Sequence, residues 1–269
     1  MGSSRAICMS MEKAENSPVH PSHHREELRE LVRMRKRGVY IYALPNLLTA
    51  MNFLLGYLSI ISSIEMRYER AAWTILLATI FDMLDGRVAR FTKTTSKFGL
   101  EFDSLCDLIS FGLAPAVFIY LLALRPFGRI GLVVSMLFGL FGAMRLARFN
   151  VMAEVLPKSY FQGLPIPMAS ITLCTAFLFA KELNLPVEGS PFFLALTCAL
   201  ALLMVSTFKF PSFKDIHFRH RRPLPTLAAF LTVLIVLISW FEIASFVLFF
   251  GYIVASLSLD ILRNRKKFL

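Results

Sequence analysis

Eight long apolar runs constrain this chain more than any other feature. They lie at about 44–64, 71–90, 103–124, 129–148, 166–181, 191–208, 224–239 and 242–261. Each approaches the ~20 residues a helix needs to cross a hydrocarbon core. Within a bilayer every backbone N–H and C=O must be satisfied internally, and for runs of this length the helix achieves that. The sequence therefore predicts an all-α, polytopic integral membrane helix bundle with about eight transmembrane helices. Composition agrees: 56% of the 269 residues are apolar and 17% charged, against roughly 45–50% and 25% in soluble domains. A water-soluble globule and a disordered chain are both excluded. The first apolar run starts too late and runs too long to be a cleaved signal segment.

The net charge of +11 would suggest nucleic acid in a soluble protein, but its placement says otherwise. Eight crossings put both ends on one side. On that side fall 24 of the 29 Lys and Arg, in segments 1–43, 87–97, 145–158, 209–222 and 263–267. The opposite side holds Arg67, Arg70, Arg125, Arg129 and Lys181, balanced by Glu65, Glu69, Glu182, Glu188 and Glu242. Basic residues collect in cytoplasmic loops, so both termini are expected in the cytoplasm. The excess charge then faces an anionic leaflet, with membrane lipids and no nucleic acid as partners.

Residues 1–43 read as a cytoplasmic disordered tail and juxtamembrane basic segment. The first 24 residues contain Ser3, Ser4, Ser10, Pro18 and Pro21, with His20, His23 and His24 solvated. Residues 25–37 carry a weak apolar stripe (Leu28, Leu31, Val32, Met34) that could rest on headgroups. Residues 44–208 form the expected membrane core. Residues 209–269 add a cytoplasmic loop with the basic run around His217 and His220, two further spans and a basic tail. Short connections at 65–70 and 125–128 imply antiparallel neighbours. Cys8, Cys106, Cys174 and Cys198 show no CxxC spacing, which argues against a disulfide framework or a zinc site.

One stretch is out of place in a membrane protein: FDMLDGRVARFTKTTSKFGLEFDSLCD, residues 81–107. Asp82 and Asp85 are three apart near the end of the second span, and Asp103 and Asp107 four apart near the start of the third. Both spacings put side chains on one helical face. The intervening loop reverses the chain, so four carboxylates can share one volume at the cytoplasmic edge. Each Asp costs ~2.5–3.5 kcal/mol at a span centre, and like charges ~4 Å apart add about 4 kcal/mol at an effective dielectric of 20. Pairing with Arg87 and Arg90 would leave acids in excess. Divalent cations offset the charge better, two ions matching four carboxylates, and an all-oxygen set suits Mg²⁺ or Mn²⁺. Gly86, Ala89 and Gly99 allow close approach of a ligand or backbone, and Arg90 offers a planar fork to phosphate. Acids for metal, metal for diphosphate and Arg for residual charge point to phosphoryl transfer.

The eight positions Asp82, Asp85, Gly86, Ala89, Arg90, Gly99, Asp103 and Asp107 match the pattern D-x2-D-G-x2-A-R-x8-G-x3-D-x3-D. With it the chain resembles the CDP-alcohol phosphotransferase family. LPNLLTAMNFLLGY (44–57), DSLCDLISFGLAPA (103–116), MRLARFN (144–150) and YFQGLPIP (160–167) extend the likeness toward members whose acceptor is L-serine. The resemblance implies a six-helix core, here extended by two C-terminal helices, in a homodimer with its site open to the cytoplasm of a bacterial inner membrane. It implies that Asp82, Asp85 and Asp103 hold the metal pair, while Asp107 touches a metal and acts as general base. Gly86, Ala89, Arg90 and Gly99 would line the CDP-diacylglycerol pocket, bordered by Asn46 and Thr49. The implied reaction gives phosphatidylserine and CMP.

Serine needs a partner for its carboxylate. Arg145 and Arg148 share a face at the cytoplasmic end of the fourth span, with Asn150 nearby, and Arg pairs with carboxylates bidentately. Lipid-phosphate binding or snorkelling are the other uses for them. Two rival readings remain: a transferase of the same family taking glycerol 3-phosphate or inositol phosphate, and an ion or proton transporter. The first would want more basic residues around 145–165. The second predicts acids spread through the bilayer depth, whereas here they gather at one edge.

Overall fold

The computed structural model describes residues 44–92, 96–152, 160–211 and 240–265. The N-terminal tail with its histidines and surface-helix candidate, the seventh span at 224–239, and His217 and His220 lie outside the described residues.

Continuous apolar sequence becomes helix wherever it is described. Helix α1 runs Leu44–Ile64 and α2 runs Tyr68–Phe91. Between them the chain reverses at Met66, whose φ of 60° lets Arg67 N–H reach back to Ser62 O at 2.8 Å. Helix α3 starts at Lys97–Asp107, where the Ser96 hydroxyl accepts from Gly99 N–H at 2.9 Å and so caps the first turn. It continues through a π turn (Leu108–Leu113), an α segment (Ala114–Ile119), a second π turn (Tyr120–Leu124) and a closing 3-10 turn (Arg125–Phe127). The span expected at 103–124 is thus the middle of one 30-residue apolar helix, Phe98–Phe127. Helices α4 (Arg129–Met152), α5 (Ile166–Glu182), α6 (Pro191–Val205) and α7 (Phe241–Arg265) complete the described set.

Helix α5 is the centre of the bundle. Ala169 through Leu178 are all buried, as are Ile166 and Ala180. It packs against α2 and α7, while α4 packs along α6. The small and hydroxyl residues of α5, Ala169, Ser170, Thr172, Thr175 and Ala176, let neighbouring helices pack closely on it. Helix α4 instead exposes Ile130, Val133, Met136, Leu140 and Met144. Their spacing of three and four residues makes one exposed apolar stripe. In water such a stripe would be an aggregation surface; in a bilayer it meets its own kind. By length and composition α1, α3, α4 and α7 can each cross a membrane. Helix α5 has 17 residues and α6 has 15, both short of a full span. Helix α2 is long enough, but its ends carry Glu69, Arg70 and the charged 82–90 stretch.

Among the described residues the one departure from all-helix is a ribbon of two three-residue strands, β1 (Tyr160–Gln162) and β2 (Lys209–Pro211), paired antiparallel with Phe161 opposite Phe210. It joins the two long loops that follow α4 and α6. Gly163 continues the seam: its φ is +76° and an added Cβ would come 2.4 Å from Met204 O, so only glycine fits.

Candidate active site

The acids of α2 and α3 meet where α1 crosses both helices. One carboxylate oxygen each from Asp82, Asp85 and Asp103 lie within 4.8 Å of one another. Three carboxylates this close repel by about 3.5 kcal/mol per pair at an effective dielectric of 20, so the cluster calls for a cation. Asp103 Oδ1 is buried and has no hydrogen-bond partner, an orphaned acceptor aimed into a protein interior. A hard divalent ion fits this donor set, being all oxygen and short of positive charge. Asp107 stands beside the trio, within side-chain hydrogen-bond reach of Asp82, and is itself buried.

Helix α1 holds both pairs from one face. Thr49 Oγ1 donates to Asp85 Oδ2 at 2.7 Å, and three residues on, Asn52 Nδ2 donates to Asp107 Oδ1 at 3.0 Å. One turn further, Gly56 meets the π turn of α3. A Cβ there would fall 2.3 Å from Ser110 Oγ and 2.6 Å from Ser110 Cα. Ser110 Oγ in turn donates to Asn52 O at 2.9 Å. That π turn begins at Leu108, directly after Asp107; a widened turn beside reactive side chains is a common feature of functional sites.

The remaining positions of the motif lie around the acids. Gly86 is exposed, and a Cβ on it would meet nothing within 4 Å, so its small size leaves open space rather than relieving a protein contact. Arg90 is exposed and its Nε donates to Gly86 O at 2.8 Å. Ala89 is half-buried on the same helix. Gly99 faces Asn46, whose Oδ1 would be 3.5 Å from an added Cβ, which brings the starts of α1 and α3 together.

The three polar residues at the end of α4 divide sharply. Arg145 is 8% exposed, its Nε has no partner, it lies in electrostatic range of Asp107, and its guanidinium stands 5.6 Å from the Phe149 ring centroid. Arg148 turns away, donating from Nη1 to Val205 O at 3.0 Å and from Nη2 to Met204 O at 3.4 Å and Ser206 O at 3.3 Å. It satisfies the carbonyls that the end of α6 leaves without helical partners. Asn150 Nδ2 donates to Ser104 Oγ at 3.0 Å, linking α4 to α3.

Asn52 and Ser110 do not figure in the motif reading. Asn52 was detectable in principle: an amide within an apolar span, three residues after Thr49, on the face that Thr49 occupies. Ser110 had no such signal, since a lone serine in a membrane helix commonly bonds its own backbone.

Comparison with known proteins agrees with this geometry. The model of the CDP-alcohol phosphatidyltransferase family matches residues 42–208. A Helicobacter pylori protein named CDP-diacylglycerol–serine O-phosphatidyltransferase is 43% identical over 178 residues, covering 65% of this chain and 75% of that protein. The Bacillus subtilis protein of the same name is 36% identical over 172 residues, 64% of this chain and 91% of its own. Archaetidylserine synthase of Methanothermobacter thermautotrophicus is 42% identical over 180 residues, 65% of this chain and 72% of its own. The matched stretch contains every acid of the cluster and all the residues of α1 and α4 that surround it, and the chain belongs to the CDP-alcohol phosphatidyltransferase family.

Proposed function

We propose that the chain transfers the phosphatidyl group of CDP-diacylglycerol to L-serine, forming phosphatidylserine and releasing CMP. The observation that carries this reading is the trio Asp82, Asp85 and Asp103 within 4.8 Å, with Asp107 fixed beside it. The names of the relatives supply the choice of acceptor.

Asp82, Asp85 and Asp103 hold Mg²⁺ or Mn²⁺, with Asp107 at the edge of the set and two ions matching four carboxylates. Bound there, the ions offset charge on the diphosphate and on the leaving group. Gly86 leaves room for the nucleotide diphosphate, Gly99 lets the starts of α1 and α3 close around it, Ala89 keeps the wall of that pocket shallow, and Arg90 covers residual phosphate charge. Asn46 and Thr49 border the same pocket, Thr49 also orienting Asp85. The serine hydroxyl oxygen attacks the lipid-side phosphorus, its proton passes to Asp107, and the bond from that phosphorus to the oxygen bridging to CMP breaks. An ordinary carboxylate is a weak base, so the contribution of Asp107 lies in its placement. Arg145 receives the serine carboxylate, because its guanidinium is buried, faces Asp107 and keeps an unpartnered Nε.

The lipid reaches the site laterally, tails in the bilayer and headgroup at the rim. Site and termini face the cytoplasm of a bacterial inner membrane, in keeping with the distribution of basic residues, and the working unit is a homodimer, as the family likeness implies.

The test is an acceptor competition in detergent with labelled L-serine, glycerol 3-phosphate and inositol phosphate against CDP-diacylglycerol, with metal omitted as control. Serine-dependent, metal-dependent CMP release is expected, and Asp107→Asn should abolish it while CDP-diacylglycerol still binds. Preference for a phosphorylated acceptor would move the chain to another branch of the family. Wild-type turnover in Asp107→Asn would remove the base.

A further inference from the structure

Asn52 is fully buried and lies 55 residues from Asp107 in sequence, yet its Nδ2 donates to Asp107 Oδ1 at 3.0 Å. We propose that Asn52 is a positioning residue: its amide fixes the Asp107 carboxylate in the orientation from which Asp107 accepts the proton of the acceptor hydroxyl. The inference rests on the reading of Asp107 as base and deepens it.

Three observations carry it. The first is the direction of the bond. A carboxylate can turn about its last torsion, and a donor held on a separate helix stops that rotation. The second is how firmly the donor is anchored. Asn52 O accepts from Ser110 Oγ at 2.9 Å, and Ser110 belongs to the helix that bears Asp107, three residues on. Gly56 lets the backbones of α1 and α3 close to this distance, since any Cβ there would strike Ser110 at 2.3 Å. Amide, carboxylate, serine and glycine therefore form a closed circuit between two helices. The third is a cost. Asn52 Oδ1 is buried with no hydrogen-bond partner, and an unsatisfied buried acceptor destabilises a fold where an apolar side chain of similar size would not. Packing alone favours leucine at this position. What asparagine adds is the donor.

A base works only when its oxygen lies within about 2.6–3.2 Å of the proton donor, and a misplacement near 1 Å costs on the order of 10²-fold in rate. Freeing the carboxylate should therefore lower kcat and leave ground-state binding alone.

The experiment uses the purified full chain in detergent with CDP-diacylglycerol, L-serine and Mn²⁺. In Asn52→Leu, kcat is expected to fall at least tenfold, towards roughly 100-fold. KM for serine, Kd for CDP-diacylglycerol and the Mn²⁺ affinity read by electron paramagnetic resonance should stay within about threefold of wild type, while the melting temperature falls only by the cost of leaving the buried Asp107 oxygen without its donor. Asn52→Ala repeats the measurement should the leucine not pack. A kcat within tenfold of wild type overturns the proposal. So does a loss of Mn²⁺ or CDP-diacylglycerol binding that parallels the loss of rate, or failure of both variants to fold, since either assigns Asn52 a structural role. Asp107→Asn is run alongside: if it stays active, the base reading itself is wrong; if it is dead while Asn52→Leu is active, only the positioning role falls.

Discussion

Asp103→Asn should stabilise the metal-free protein and abolish its response to metal, two effects of opposite use to the cell. In the cluster each of the three carboxylates lies within 4.8 Å of the other two. At an effective dielectric of 20 that separation is worth about 3.5 kcal/mol per pair. Three pairs exist in the wild type and one survives in the variant, so Coulomb energy alone would release about 7 kcal/mol. Protonation limits the cost the wild type actually bears: neutralising an ordinary carboxylic acid at pH 7 takes about 4 kcal/mol. The net gain for Asp103→Asn without metal is therefore about 2–4 kcal/mol, or roughly 5–10 °C in melting temperature for a chain of this size. With metal at a hundred times its Kd, the wild type gains about 2.7 kcal/mol by mass action, and the variant, having lost a ligand, gains little. The assay is thermal unfolding in detergent, with EDTA and with Mg²⁺ or Mn²⁺ titrated in. If both proteins melt together in EDTA and shift equally with metal, Asp103 neither repels its neighbours nor holds a cation, and the three-carboxylate basis of the site is gone.

Three further outcomes follow from the contacts of single residues. Gly86→Ala should hold or slightly raise the melting temperature, since a Cβ there meets nothing within 4 Å and alanine favours a helix interior, yet weaken CDP-diacylglycerol binding at least tenfold in an equilibrium lipid-binding assay. Gly56→Ala should cost about 1–3 kcal/mol by overpacking, because the new methyl meets Ser110 Cα at 2.6 Å; Gly142→Ala should cost less, because its neighbour at 2.5 Å is the movable Cδ1 of Ile166. Comparative melting curves separate the two. Arg145→Lys should raise the KM for serine about tenfold or more, by losing the planar fork, with little change in thermal stability. Arg148→Lys should do the reverse, because that guanidinium ties the carbonyls of Met204, Val205 and Ser206. Serine titrations and melting curves on both variants measure the split.

The linear sequence determined the helical class and the location of the acids, because both follow from short-range pattern. An unbroken apolar run admits one secondary structure in a bilayer, and spacings of three and four put Asp82 with Asp85, and Asp103 with Asp107, on single faces. The family motif was complete within 26 residues. What the tertiary structure decided lies between segments far apart in the chain. Arg145 and Arg148 are indistinguishable by type and spacing, and only the end of α6 separates them, by offering its carbonyls to Arg148. Asn52 reads as one polar residue in an apolar run until α1 crosses α3 and sets its amide against Asp107. The strand ribbon between residues 160–162 and 209–211 is too short for either strand to declare itself. In each case the deciding partner comes from another helix or loop, and periodicity along one element carries no information about which residue of a second element will face it.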